Sequence, residues 1–384
     1  MVQLAAVGAA SVVTYSQETS FGVPAASPTQ KTLRCLLGSK FQLDRTTSTS
    51  KEISSSRQVQ ALTFGTKKGS GSIPFELSYA SQEDLLEAVM GGTWTTNILK
   101  LGNVKRSFAF EQQYPDINLN EQNLGVVFTG FDLSVKPDTP VSGSFSFMSK
   151  DQKSIQYADD GVTTIAFAAT TMTRSAGSFI TDGFEVGDSV NITGASTAAN
   201  NRYATPAVIT TLAATIMTCS AAAFTVDTAK TGVTICKTLG APAAANTNPV
   251  YDSFTGTILL DGTACAIVTG IDIKMEQSAN GSNVLFDTTI QQVSVGTINV
   301  TGTLVVRFVN NAIKAKFLNG TSADISFTLG TGAGSSKSMK FDASKCYFTG
   351  VTNDTGENEL TQSVAFTAIY DSTDVSALMI TRIP

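Results

Sequence analysis

Apolar and small polar residues alternate one by one over long stretches of this chain. The pattern is clear in residues 124–135 (LGVVFTGFDLSV) and 141–148 (VSGSFSFM), and similar runs recur towards the C-terminus. A period of two places the apolar side chains on one face of a β-strand. The 384 residues include 52 threonines, 31 glycines and only 10 prolines, which is typical of β-branched strands joined by turns. The sequence therefore predicts an all-β fold.

The residue types that most enzymes use at neutral pH are scarce. The chain has no histidine, which removes the Ser-His-Asp and Cys-His nucleophile systems and the usual zinc ligands. Its five cysteines are dispersed without a CxxC pair, which indicates small buried apolar side chains rather than disulfides or a metal site. We therefore predict no enzymatic activity, no cofactor and no bound metal.

Charge and hydropathy indicate the location of the protein and the partners that it does not bind. No apolar run approaches the roughly 20 residues of a membrane helix. The first 14 residues lack the basic start of a secretory signal, since the first Lys or Arg is Lys31. The formal net charge of −5 argues against ordinary nucleic-acid binding, which needs an excess of Lys and Arg. We expect a non-exported protein with no membrane segment.

One helix is predicted at about residues 82–90. Ser81 and Asp84 have the spacing of a capping box, and the apolar residues that follow share one helical face. Gly91 can supply the left-handed residue that ends a helix. This helix should pack against a sheet.

Two segments are weakly apolar for their length. Residues 1–32 are predicted to form an N-terminal arm, and residues 44–72 an assembly loop that becomes ordered against a neighbouring subunit. An ordinary exposed β-hairpin is the alternative for 44–72. A short apolar patch and a basic pair are the candidate contact residues of the assembly loop: Val59, Ala61, Leu62, Phe64, Lys67 and Lys68.

Residues 159–238 differ in composition from the rest of the chain, with 18 threonines and 10 charged residues in 80. Alternating runs between Gly and Asn turns, followed by the linker 240–249 (GAPAAANTNP), predict a small inserted β-domain. Residues 1–158 and 239–384 would then form the main domain. A weak repeat flanks the insert: 128–133 (FTGFDL) and 268–273 (VTGIDI), with a partial echo at 348–351 (FTGV). The repeat predicts a duplicated β-unit.

Several segments, in order along the chain, resemble the major tail tube protein of long, non-contractile phage tails. They are residues 33–43 (LRCLLGSKFQL), 50–59 (SKEISSSRQV), 71–94 (GSIPFELSYASQEDLLEAVMGGTW), 106–117 (RSFAFEQQYPDI), 130–151 (GFDLSVKPDTPVSGSFSFMSKD) and 345–371 (KCYFTGVTNDTGENELTQSVAFTAIYD). The resemblance covers most of the chain outside the insert. Within the insert, residues 173–203 are similar to a β-module that recurs in phage virion proteins.

The resemblance implies a tail-tube β-sandwich or barrel with one flanking α-helix. Because both ends of the insert should attach to neighbouring strand ends, we expect the inserted β-domain to lie on the tube exterior. Six copies would form a ring, and stacked rings would form the virion tail tube, through which genomic DNA passes during ejection without specific binding. Six chains at −5 each give −30 per ring, which repels phosphate. The arm and the assembly loop would bridge subunits or rings.

The resemblance also implies partners. They are further copies of this chain, a tape measure protein, a tail terminator and distal tail proteins, with assembly in the cytoplasm of the bacterial host. The alternative is another phage surface or decoration β-protein in which the insert is the binding module.

Two strands are candidates to line the channel. In residues 131–136 and 271–276 polar residues alternate strictly with apolar ones, so one face should be buried and the other wet. The predicted channel-lining residues are Asp132, Ser134, Asp272, Lys274 and Glu276. The outer surface of the ring is the alternative position for this face.

Overall fold

The computed structural model describes residues 6–25, 30–53, 56, 58–220, 224–330, 337–355 and 359–384. Strands dominate these residues, which confirms the all-β prediction. Two α-helices and two short 3-10 turns (Gly8–Ala10 and Ala198–Asn200) accompany the strands.

Nine strands and one helix make up the N-terminal part of the chain. They are β1 (Val12–Gln17), β2 (Gln30–Thr32), β3 (Lys40–Thr49), β4 (Leu62–Glu76), α1 (Glu83–Met90), β5 (Ile98–Lys100), β6 (Phe108–Tyr114), β7 (Leu119–Val135), β8 (Ser142–Ser149) and β9 (Asp151–Lys153).

Eight strands form a second, separate sheet in the middle of the chain. They are β10 (Gln156–Tyr157), β11 (Ile165–Phe167), β12 (Thr171–Arg174), β13 (Ser189–Thr193), β14 (Arg202–Leu212), β15 (Ile216–Cys219), β16 (Asp227–Lys230) and β17 (Thr234–Thr238).

The C-terminal part returns to the first sheet with nine strands and the second helix. They are β18 (Pro242–Ala243), β19 (Gly256–Leu260), β20 (Thr263–Ala264), β21 (Val268–Ser282), β22 (Gln292–Arg307), α2 (Ala312–Asn319), β23 (Ala323–Leu329), β24 (Ser338–Thr355), β25 (Leu360–Ala368) and β26 (Met379–Ile383).

Strand β7 is long enough to belong to two layers. Its first half pairs with β6 and its second half with β8, and the β7–β8 register shifts at Thr129, which bulges out of the ladder. β1 and β2 extend the first layer, and β4 and β3 extend the second. The ring of Phe110 lies 6.1 Å from Phe41 and 6.0 Å from Phe128, so aromatic packing joins the two layers.

The C-terminal part repeats this arrangement strand by strand. The pairs β19–β20, β19–β23, β23–β24, β24–β25, β25–β22 and β22–β21 reproduce β1–β2, β1–β6, β6–β7, β7–β8, β8–β4 and β4–β3. α1 packs against β7, and α2 packs against the corresponding strand β24. We call residues 12–153 the N-terminal unit and residues 256–383 the C-terminal unit.

Two glycines mark the same position in the two units. Gly71 lies opposite Phe147, and Gly302 lies opposite Phe366. A Cβ atom at either glycine would overlap the ring of that phenylalanine and the carbonyl oxygen of a residue in the adjacent strand. The facing phenylalanines also correspond, because Phe147 pairs with Phe128 and Phe366 pairs with Phe348.

The duplicated β-unit is present in the structure, but the correspondence predicted between its two copies is wrong. Residues 348–351, not 268–273, correspond to 128–131. β21, which contains 268–273, instead pairs with β7, with Leu133 opposite Ile273. The threonine of each Thr-Gly pair lies where the ladder register shifts, at Thr129, Thr269 and Thr349. The shared motif therefore specifies a β-bulge in three strands.

Helix α1 agrees with its prediction except at its first residue. Leu85, Leu86, Val89 and Met90 are fully buried, and Gly91 ends the helix with a φ of 58°. The predicted capping box is wrong. Gln82 is the N-cap residue, and its side chain makes no capping hydrogen bond. The hydroxyl of Ser81, the predicted N-cap residue, lies 2.5 Å from that of Ser78.

Helix α2 corrects the expectation of a single helix. Ile313 is its only fully buried residue, and Phe317, one turn later, is partly buried against the core. This apolar face is too short to predict a helix from sequence. The helix ends at Gly320, whose φ is 62°.

The predicted N-terminal arm is partly a core strand. Within residues 1–32, β1 pairs along its whole length with β6, and Val13 and Tyr15 are buried. The ring of Tyr15 stacks on Phe110 at 5.5 Å. The low charge of this segment reflects burial in the sheet rather than an extended arm.

The middle sheet has a core of its own, which includes the fully buried side chains of Phe179, Ile192 and Ile235. Its first and last strands run side by side, with Gln156 opposite Cys236. The separate sheet thus begins three residues before the predicted insert boundary at residue 159. We keep the division into a main domain and an insert as a prediction.

A buried carboxylate ties the end of this insert to the N-terminal unit. Glu111 in β6 accepts hydrogen bonds from Thr238 Oγ1 at 2.7 Å and from the backbone N–H of Leu239 at 2.5 Å. The side-chain amides of Gln113 and Gln122 also donate to it, at 2.6 and 3.1 Å. Burial raises the pKa of Glu111, while these four donors favour its ionised form.

We expect Glu111→Ala to destabilise the chain by about 3 kcal/mol or more, because each buried donor left without an acceptor costs about 1–3 kcal/mol. Urea unfolding of the isolated subunit measures the loss. Glu121→Ala is the matched control, since Glu121 lies on the neighbouring strand but is only half-buried. Equal losses in the two variants would contradict a specific anchor at Glu111.

Candidate assembly surfaces

The predicted channel-lining residues lie together on one face of the sheet. In the antiparallel pair β7–β21, Asp132 is opposite Lys274 and Ser134 is opposite Asp272. Glu276 follows on the same face of β21, and its carboxylate lies 2.7 Å from Lys274 Nζ. Hydrogen bonding and charge from Glu276 raise the pKa of Lys274. The five residues thus form one partly exposed polar strip.

The opposite face of the same two strands is apolar and buried. Exposure is at most 4% for all five alternating residues: Phe131, Leu133, Ile271, Ile273 and Met275. This burial confirms the alternation on which the channel prediction rests. That the polar strip faces a channel stays a prediction.

Hydroxyl side chains continue this polar face on both sides of the strip. Ser144 in β8 lies opposite Asp132 and donates a hydrogen bond to its Oδ1 at 2.6 Å. Thr303 in β22 lies opposite Asp272, and Ser72 in β4 lies opposite Ser146 in β8. The face therefore combines small neutral groups with a few charges, and it offers no dense basic surface to phosphate.

The predicted assembly loop is a β-hairpin for most of its length. β3 and β4 are paired from Lys40 opposite Ser72 to Thr49 opposite Leu62. This is the alternative that the sequence left open for residues 44–72. Residues 54, 55 and 57 at its tip lie outside the described part of the chain. A role for the hairpin in assembly stays a prediction.

The apolar candidates of this hairpin are exposed. Val59, Leu62 and Phe64 are 65%, 49% and 60% exposed, and Ala61 is exposed as well. The guanidinium of Arg45 covers one face of the Phe64 ring at 4.6 Å. Four apolar residues in water near one hairpin tip form a surface that a neighbour can bury.

The two basic candidates of the hairpin differ. Lys67 Nζ lies 3.1 Å from Asp151, and its backbone N–H donates to the carbonyl of Thr288, so Lys67 belongs to the subunit fold. Lys68 pairs across the hairpin with Asp44 and is exposed. Of the two, Lys68 is the more accessible to a neighbour.

The C-terminal unit carries a corresponding hairpin that the sequence did not single out. β21 and β22, the counterparts of β3 and β4, are joined by residues 283–291. Val284, Leu285 and Phe286 in this turn are 52%, 85% and 106% exposed. Three consecutive apolar residues between Asn283 and Asp287 were the available signal. We call these residues, together with Val59, Ala61, Leu62 and Phe64, the hairpin-tip patches.

Other kinds of site are not seen in the described part of the chain. Those residues contain no group of three or more Cys, Asp or Glu side chains placed to hold a metal ion. Among the described helices, none has the length and hydropathy needed to cross a membrane. All five cysteines are free. Cys219, Cys236 and Cys346 are buried, as predicted, whereas Cys35 and Cys265 are only half-buried.

Comparison with known proteins assigns a family to the duplicated architecture. A family model described as "phage tail tube protein" matches residues 8–215 and again residues 204–368. The two matches together span most of the chain: the first includes the N-terminal unit, and the second includes the C-terminal unit except its last strand, β26. A search of curated protein sequences finds no match.

Proposed function

Since this chain belongs to the phage tail tube protein family, we propose that it is a structural, non-enzymatic virion protein that polymerises as stacked hexameric rings, each of six tube units, into the tail tube. The tube serves as the conduit for genomic DNA during ejection. The long, non-contractile tail type and the tape measure, terminator and distal tail partners belong to the same proposal, as does assembly in the host cytoplasm.

The observation that supports this function best is the continuous polar face of the main sheet. It runs across β8, β7, β21 and β22 and carries serine, threonine and a small excess of carboxylates. A conduit must not retain its cargo, and hydroxyls with a few acidic groups give phosphate no strong site. Asp132, Ser134, Asp272, Lys274 and Glu276 would then border the channel.

Negative-stain imaging of the purified chain tests the proposal. Hollow tubes or stacked rings are the expected result, and a protein that stays monomeric at high concentration would overturn it. Asp132→Cys in assembled tubes tests the channel position. Its thiol should react with a small reagent but resist a bulky one that cannot enter the lumen, and rapid reaction with the bulky reagent would place this face outside.

We place the insert on the tube exterior. Gln156 lies opposite Cys236, so a short Gly/Ser linker can join them and replace residues 157–235. The shortened chain should still form tubes with the same ring spacing, because the pairings of the main sheet do not involve β10–β17. A folded, shortened subunit that cannot form tubes would instead make the insert part of the contact between subunits.

A further inference from the structure

Two edges of the main sheet have no partner strand among the described residues. β3 pairs with β4 on one side only. In β24, residues 347–355 pair with β25 on one side only. Open strand edges of this length present unpaired N–H and C=O groups and are templates for another chain.

The interior of the same chain shows what such edges can bind. β7 and β21 pair with each other, in the register Gly130–Glu276, Phe131–Met275, Asp132–Lys274, Leu133–Ile273, Ser134–Asp272 and Val135–Ile271. This pair joins the N-terminal unit to the C-terminal unit. Each unit contributes four strands, in the order β3, β4, β8, β7 and then β21, β22, β25, β24.

The two open edges correspond to the two strands of this internal pair. β24 corresponds to β7, because Phe348 and the bulge at Thr349 match Phe128 and the bulge at Thr129. β3 corresponds to β21, because Phe41 lies opposite Gly71 as Ile273 lies opposite Gly302. The continuous series of eight strands, from β3 to β24, therefore ends at each side with a strand that can repeat the internal contact.

We propose that β24 of one copy pairs with β3 of a second copy in the register of the internal β7–β21 pair. The inference rests on the proposed function and adds to it the geometry of the ring contact. The correspondence places opposite each other Gly350 and Asp44, Val351 and Leu43, Thr352 and Gln42, Asn353 and Phe41, Asp354 and Lys40, and residues 355 and 39.

Two of these pairs have complementary side chains. Asp354 and Lys40 carry opposite charges, both are exposed, and neither has an ion-pair partner among the described residues. Val351 and Leu43 form an apolar pair where the internal contact has Phe131 and Met275. The register opposes no two like charges, which would destabilise a strand pair.

Two units in each chain, together with the proposed six units in a ring, give the number of chains in a ring. Each copy supplies two tube units and eight consecutive strands, so the six units of a hexameric ring come from three chains. The proposal replaces the sequence-based expectation of six chains with three. Three chains at −5 each carry −15 per ring rather than −30.

Charge reversal tests the register. Asp354→Lys and Lys40→Asp should each leave the subunit folded and abolish rings and tubes, because each puts like charges opposite each other. The double variant should regain tubes. Lys314→Asp, on the exposed side of α2, is the matched control and should assemble normally. Single variants that assemble like wild type, or a double variant without rescue, would overturn the register.

Mixing the two single variants tests the chain count. The two variants are compatible with each other but not with themselves, so a closed ring must alternate them. Two variants cannot alternate around a closed ring that has an odd number of chains. The mixture should therefore not form rings of three chains. Tubes in the mixture would overturn the three-chain ring.

Disulfide cross-linking provides a second measurement. With Gln42→Cys and Thr352→Cys in one chain, mild oxidation of assembled tubes should give a ladder that ends at three chains, over the background of the wild type. A ladder that ends at six would overturn the three-chain ring, and tubes without cross-links would overturn the strand contact. Absence of tubes from the wild type would instead count against the proposed function.

Discussion

Serine at Leu62, Phe64, Leu285 and Phe286 is expected to leave the subunit folded and to stop tube growth. These four side chains belong to the two hairpin-tip patches and are between 49% and 106% exposed. Their replacement therefore removes little buried area from the isolated subunit. In a tube, each large apolar side chain that a neighbour fully buries contributes about 1.5–3 kcal/mol.

The repetition of the patches makes this effect large. Each chain presents two hairpins in corresponding positions. In the proposed tube, every ring would therefore offer a complete circle of apolar tips to its neighbour. Sedimentation and electron microscopy measure tube growth, and the melting temperature of the isolated subunit measures folding. Ile180→Ser with Leu318→Ser is the matched control, since both residues are exposed outside the hairpins. Normal tubes from the fourfold variant would exclude the hairpin tips from the contact between rings.

Gly302→Ala is expected to destabilise the isolated subunit by about 2 kcal/mol or more. A methyl group there would overlap the Phe366 ring and the carbonyl oxygen of Asp272. Because that oxygen belongs to the backbone of a paired strand, the overlap can be relieved only by moving the sheet or the buried ring. Overpacking of a well-packed core costs about 1–3 kcal/mol.

Gly270→Ala is the control for this prediction. It lies in the same hairpin, and its added Cβ atom would be in ordinary contact, 3.7 Å from the carbonyl oxygen of Val135. Gly71→Ala should behave like Gly302→Ala, because Gly71 has the corresponding neighbours in the other unit. Urea unfolding compares the three variants. Equal stability of Gly302→Ala and Gly270→Ala would contradict the close approach at Gly302.

The strands and α1 could be predicted from sequence because their signals are local. Alternation in residues 131–136 reports which face is buried, and four apolar residues in two turns specify α1. Helix α2 packs against β24 with only Ile313 fully buried and Phe317 partly buried, so its sequence contains too short an apolar pattern to predict the helix. The sequence predicts an arm where β1 lies because the buried Thr14 and Ser16 resemble the polar residues of an exposed segment.

The sequences of the two units are hard to align because few positions require the same residue in both. A bulge needs a local break in the ladder, and a crowded strand crossing needs glycine, but the remaining positions accept many residues of similar size. The Thr-Gly motif occurs at three bulges, two of which lie in non-equivalent strands that pair with each other. Only strand pairing distinguishes the true counterpart at 348–351 from the better sequence match at 268–273.

The β7–β21 pair has a consequence for the kinetics of assembly. Because one chain carries both units, every second contact around the proposed ring would already be made when folding ends, and the two units would not have to find each other by diffusion. A tethered contact of this kind acts as if its partner were present at about millimolar concentration. A ring closed by three such chains has only three contacts left to form between molecules, so its nucleation should depend on protein concentration to a lower power than that of a ring built from six separate units.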